Sequence, residues 1–85
     1  MDKKWIVYIL RCGDNTLYTG ITDDLEHRLE MHRCGKGAKY TRGRNPLELA
    51  YSETVGSKSE ALKREYAIKR MTRTEKLAII QNRER

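Results

Sequence analysis

Eighty-five residues suffice for one domain and no more, residues 1–85 being read as a single unit, and a chain this short buries only about 60% of its unfolded surface, so its core is lean. Lysine and arginine outnumber aspartate and glutamate 18 to 12, a net charge of +6 that favours polyanionic partners: nucleic acid, an anionic membrane surface or an acidic protein. No apolar stretch approaches the roughly 20 residues of a membrane span, Met1-Asp2-Lys3-Lys4 leads into a strand-like run without a signal-peptide pattern, and two widely spaced cysteines, Cys12 and Cys34, exclude a disulfide scaffold; a cytoplasmic protein with reduced thiols is expected.

In chain order, Lys4 to Arg11 (KWIVYILR) comes first. Its alternating sets, Trp5/Val7/Ile9 and Ile6/Tyr8/Leu10, are both apolar, so the segment reads as a strand covered on both faces. Cys12-Gly13-Asp14-Asn15 is a turn cluster, and Leu17 to Thr22 (LYTGIT) is a second strand, giving a hairpin. Asp23 offers a helix N-cap, with Glu26 three residues on completing a capping box. Leu25, Leu29 and His32 follow at helical spacing until the helix runs out near Cys34-Gly35.

Gly35 to Pro46 reads as a loop, and Leu47 to Val55 (LELAYSETV) as a third strand entered just after the single proline. Two further capping boxes follow. Ser57 with Glu60 starts a helix through about Met71, and Thr72 with Glu75 starts another through about Arg83. The order β-β-α-β-α-α and the hairpin predict an α+β fold, a three-stranded antiparallel sheet flanked by helices.

Several side chains stand out against this background. Glu65 has Ala61, Leu62 and Ile68 as its helical neighbours, which puts a carboxylate in the apolar stripe while Lys63, Arg64, Lys69 and Arg70 take the solvent side. A buried carboxylate is costly unless paired or bound to a metal. Glu65 therefore either ligates a hard cation such as Mg²⁺ or Mn²⁺, which takes one or two protein carboxylates and fills its shell with phosphate and water, or edges outward to pair with Arg64 or Lys69. Zinc is not indicated, because Cys12, Cys34, His27 and His32 lack the ligand spacing it requires.

Tyr18 and Gly20 share one face of the second strand, and Gly20 has no side chain to block a phosphate approaching Tyr18; Tyr8 lies on the first strand. The alternative is that both tyrosines simply pack, each with one wet end. Arg28 and His32 sit one helical turn apart. The arginine can clamp a phosphate bidentately and the histidine can donate to a phosphate oxygen or move a proton; the alternative is that Arg28 pairs with Asp24 and His32, in the last turn, favours the helix dipole. Arg33, Lys36, Lys39, Arg42 and Arg44 fall within twelve residues, interleaved with Tyr40 and glycines, and no acid lies between Met31 and Leu47. Such a loop suits a nucleic-acid backbone and a stacked base.

Taken in order, these residues resemble the GIY-YIG nuclease superfamily. Ile6-Val7-Tyr8 matches the first element, Tyr18-Thr19-Gly20 the second, Arg28 the helix arginine, His32 a histidine found in some members, and Glu65 the metal-binding glutamate. Gly37-Ala38-Lys39-Tyr40-Thr41-Arg42 looks like the small single-domain bacterial branch, which is similar to the catalytic domain of structure-specific junction nucleases. Two features depart from the pattern: Ile6 replaces the motif's first glycine, and Asn82 lies too near the end to match the asparagine that some relatives carry.

The resemblance implies Mg²⁺-dependent (or Mn²⁺-dependent) phosphodiester hydrolysis with little sequence preference, on DNA ahead of RNA, with a link to DNA repair. Glu65 would hold the ion, Tyr18 would help to deprotonate water with Tyr8 nearby, and Arg28 would neutralise phosphate charge. The competing expectations are a nucleic-acid-binding module of the same fold with weak or no catalysis, and a basic protein-interaction domain. Self-association or a partner subunit that supplies targeting stays open.

Overall fold

The computed structural model describes residues 4–83; the Met1-Asp2-Lys3 start lies outside them. Strand β1 (Trp5–Arg11) pairs antiparallel with β2 (Leu17–Thr22) and with β3 (Glu48–Val55), in the order β2-β1-β3. Helices α1 (Leu25–Arg33), α2 (Lys58–Lys69) and α3 (Arg73–Arg83) complete the expected α+β arrangement. A short 3₁₀ turn over Lys39–Thr41 adds structure to the predicted loop.

β1 takes the centre of the sheet because both of its side-chain sets are apolar, and Val7, Tyr8, Ile9 and Leu10 are all fully buried. Val7 and Ile9 form the main core with Ala61 and Ile68 of α2 and Ile80 of α3. Each such aliphatic side chain contributes about 1.5–3 kcal/mol on burial. The alternate set behaves differently. Leu10 stands opposite Tyr18 and Tyr8 opposite Gly20 across the β1–β2 ladder, so the two tyrosines of the hairpin share one face.

Capping fixes where the helices begin. Ser57 accepts from the Glu60 amide at 3.2 Å, and the Glu60 carboxylate reaches back to the Gly56 amide at 2.8 Å. Thr72 and Glu75 exchange both bonds of a capping box, at 3.2 and 3.1 Å. The first helix corrects its expectation: the N-cap is Asp24, whose carboxylate accepts from the His27 amide, and not Asp23 with Glu26. The Thr22 hydroxyl accepts from the Asp24 amide at 3.0 Å and so ties the chain leaving β2 to the residue that caps. At the other end Gly35 adopts φ +81° just beyond the cap residue Cys34, the left-handed turn that glycine allows at no steric cost.

One further expectation shifts. The apolar stripe of α2 is narrower than the sequence suggests, since Ala61 and Ile68 are buried but Leu62 is 47% exposed. A bulge between Ile9 and Leu10 offsets the β1–β3 register, pairing Ile9 with Tyr51 but Leu10 with Leu49. Among the described residues no helix is long and apolar enough to cross a membrane.

Candidate active site

The hairpin face that carries Tyr8 and Tyr18 is closed by α1, which delivers Arg28 and His32 from successive turns. His32 is 1% exposed. Its Nε2 lies 2.8 Å from the Tyr8 hydroxyl, and its ring meets Tyr8 and Tyr18 edge-on at 5.8 and 5.4 Å between centroids. Burial, followed by the neighbouring Arg28 charge, pushes the His32 pKa down, so the imidazole is neutral at neutral pH. Burial likewise raises the Tyr8 phenol and keeps it protonated.

Arg28 is half-buried and lies against both phenol hydroxyls. Hydrogen bonding to Tyr8 is the largest reason its pKa is raised, with a further contribution from Tyr18. A permanently charged guanidinium thus acts on two phenols, of which Tyr18 is half-buried.

Glu65 approaches from α2, which packs along β1 and β2. Its side chain keeps 20% exposure and meets Lys69 at 3.4 Å, while Arg64 turns away to Glu53 at 2.6 Å. Lys69 is 52% exposed, and an open i,i+4 pair of this kind contributes only a few tenths of a kcal/mol. The carboxylate can therefore exchange its lysine for a cation at little cost. Its charge reaches Tyr8 and adds to the rise in the phenol's pKa. One accessible carboxylate beside phenols and a guanidinium fits Mg²⁺ or Mn²⁺, which complete their shells with phosphate and water. It does not fit zinc: among the described residues no group of three or more His, Cys, Asp or Glu side chains could hold an ion.

Gly20 puts its missing side chain to a different use from the expected phosphate approach. The residue is buried, and a Cβ there would stand 2.6 Å from the Tyr8 hydroxyl oxygen and 2.7 Å from Cζ. The space belongs to the tip of the phenol. Gly20→Ala is expected to destabilise the fold by about 1–3 kcal/mol through overpacking and to shift the Tyr8 ring, read out by urea denaturation and the Tyr8 ring resonances; unchanged stability would show that the phenol yields freely.

The basic loop divides into two groups. Arg33, Lys36, Lys39 and Arg42 are exposed, whereas Arg44 pairs with Asp14 of the β1–β2 turn and donates from Nε to the Tyr40 carbonyl at 2.6 Å. The Arg44 guanidinium also covers the Tyr40 ring at 4.3 Å, and Tyr40 stacks on Tyr18 with centroids 5.7 Å apart. Tyr40, 42% exposed, thus touches both an arginine and a tyrosine and links the loop to the hairpin face. Three residues that sequence reasoning passed over complete the site. Asp14 anchors Arg44, Thr41 contacts His32 Nδ1 at 3.0 Å, and Gly37 packs so closely that a Cβ would fall 2.4 Å from that nitrogen. The sequence placed Asp14 in a turn cluster and Gly37 and Thr41 in the family-like loop run, but nothing local marked the contacts they make.

The GIY-YIG catalytic domain model matches residues 4–78. The chain is 57% identical over 84 residues to a UPF0213 protein of Oceanobacillus iheyensis, covering 99% of this chain and 98% of that one. It is 57% identical over 81 residues to a UPF0213 protein of Staphylococcus epidermidis, covering 95% and 98%. Among solved structures, the solution NMR structure of a protein from E. faecalis superposes with a TM-score of 0.68 at 38% identity, covering 96% of this chain and 88% of that one. The NMR structure of a UPF0213 protein from Bacillus halodurans gives 0.60 at 44% identity, covering 92% and 83%.

Proposed function

The chain belongs to the GIY-YIG catalytic-domain family, and from that premise we propose that it is a divalent-metal-dependent nuclease that cleaves DNA phosphodiesters with little sequence preference. The observation that carries this reading is the packing of α1 against the Tyr8 and Tyr18 phenols through His32, with the Arg28 charge acting on both phenols and Glu65, a partly exposed carboxylate, on α2. Phosphodiester hydrolysis asks for those elements: a positive clamp on the phosphate, a group that handles the proton of water, and an anionic ligand for a cation.

In this reading Glu65 holds Mg²⁺ or Mn²⁺, which supplies Lewis-acid polarisation of the phosphate. Arg28 binds a phosphate oxygen and neutralises charge that develops there. Tyr18, the half-buried phenol, faces the water and takes its proton. Tyr8 is too deeply buried to meet solvent and serves to hold Arg28. Arg33, Lys36, Lys39 and Arg42, all exposed, track the phosphate backbone and select by charge and shape, not by base edges.

Single-stranded, duplex, flap and junction DNA, with matching RNAs, incubated with Mg²⁺, Mn²⁺ or chelator test the proposal. Metal-dependent scission of DNA supports it; product that forms equally in chelator, or none from any substrate the protein binds, refutes it. The loop gives a separate expectation. Replacing Lys39 and Arg42 by alanine should flatten the log–log salt dependence of DNA binding by about two, measured by fluorescence anisotropy across salt concentrations. An unchanged slope would remove the loop from the interface.

A further inference from the structure

We propose that Thr41 is a positioning residue for the site: its hydroxyl fixes the His32 tautomer, and through His32 and Tyr8 it sets where Arg28 points. This rests on the nuclease reading for its catalytic consequence, though not for its structural content.

Five groups form one chain of contacts. The Thr41 hydroxyl is 2.9 Å from the Ala38 carbonyl oxygen and 3.0 Å from His32 Nδ1, and His32 Nε2 is 2.8 Å from the Tyr8 hydroxyl. Arg28 lies against that same hydroxyl. Both ends have fixed polarity. A guanidinium only donates and a carbonyl only accepts. The carbonyl therefore takes the Thr41 proton, Thr41 accepts from Nδ1, and the buried phenol's own proton goes to His32 Nε2. That leaves the imidazole proton on Nδ1, donating to Thr41, whose single hydroxyl proton goes to Ala38. Every proton in the line then has one acceptor, in keeping with the lack of unpartnered buried side-chain polar atoms among the described residues.

One contact opposes this order. The Ala38 amide points at Nδ1 from 3.4 Å, and it would favour an unprotonated Nδ1. It is the longest contact of the set and yields to the three shorter ones, but it defines what the other tautomer would look like. Without the Thr41 hydroxyl, the Ala38 amide donates to Nδ1 and the proton moves to Nε2. His32 then donates to Tyr8 and competes with Arg28 for the phenol oxygen. Thr41 is 1% exposed and Gly37 crowds the other approach to Nδ1, so water has little room to replace the hydroxyl.

The test is the ring ¹⁵N spectrum of His32 in wild type, Thr41→Val and Thr41→Ser, with metal-dependent cleavage rates measured on the same samples. The expected result is Nδ1–H in wild type and Thr41→Ser and Nε2–H in Thr41→Val. The expected cleavage defect is a fall in kcat of about tenfold or more for valine, with the serine variant near wild type. Nε2–H in the wild type, or an unchanged tautomer or rate in a folded Thr41→Val, overturns the inference. If Thr41→Val does not fold, the wild-type and serine spectra still decide the tautomer. If no variant, wild type included, cleaves any substrate while the spectra behave as expected, the nuclease reading fails and the proton order stands.

Discussion

Replacing Glu65 by alanine is expected to slow metal-dependent cleavage at least about a thousandfold, several kcal/mol of lost charge stabilisation, while affinity for DNA holds or rises slightly. The expectation follows from what the carboxylate touches. Among the described residues its ion-pair partner is Lys69, through an open i,i+4 pair that contributes little to stability. A purely structural Glu65 would thus give a variant indistinguishable from wild type in the assay. Removing a negative charge that a polyanion must approach also favours binding, so a combined loss of affinity and activity would point to misfolding, which denaturation curves expose. Cleavage that survives in Glu65→Ala would rule out this residue as the metal ligand.

Arg28→Ala is expected to lower the cleavage rate by about 10²–10³-fold, the usual cost of removing one preorganised donor from a site of developing negative charge. Arg28→Lys should restore only a small part of that rate. An ammonium provides a point charge, whereas the guanidinium's planar fork reaches two hydroxyls and leaves donors for the phosphate. Single-turnover rates for the three proteins make the comparison. A lysine variant with full activity would reduce Arg28 to a source of general positive potential.

The parts of the molecule that local chemistry determines were legible in the sequence. The doubly apolar run of β1, the turn cluster after it, and the Ser57/Glu60 and Thr72/Glu75 caps each lie within a few residues of their partners, so pattern and propensity suffice. The Asp23 expectation failed by one residue because two acids stand side by side and the choice between them was made by Thr22 from the preceding strand. Leu62 misled through the same limitation: helical spacing places it near the stripe, but the sheet behind α2 covers only Ala61 and Ile68.

The candidate site was legible as a list more than as an arrangement. Tyr8, Tyr18, Arg28, His32 and Glu65 come from three segments that the fold folds back on one another, and the order of the motifs brought them to notice. What spacing could not give was the use of each group. Gly20 faces inward because Tyr8 stands opposite it across the ladder, and Tyr40 carries an arginine over its ring because Asp14, twenty-six positions earlier in the chain, holds Arg44 there. The stretch without acids from Met31 to Leu47 had its counter-charge supplied from outside the window. Thr41 is one of seven threonines to a sequence reader, and only burial against an imidazole distinguishes it.

The most direct measurement is a titration with Mn²⁺ followed by NMR, wild type beside Glu65→Ala, since a paramagnetic ion broadens the resonances closest to where it binds. Early, localised broadening around Glu65 that extends to the Tyr8, Tyr18 and Arg28 side chains, and that disappears in the alanine variant, is the predicted result. Broadening spread over other acidic side chains, or identical in the two proteins, would contradict the account.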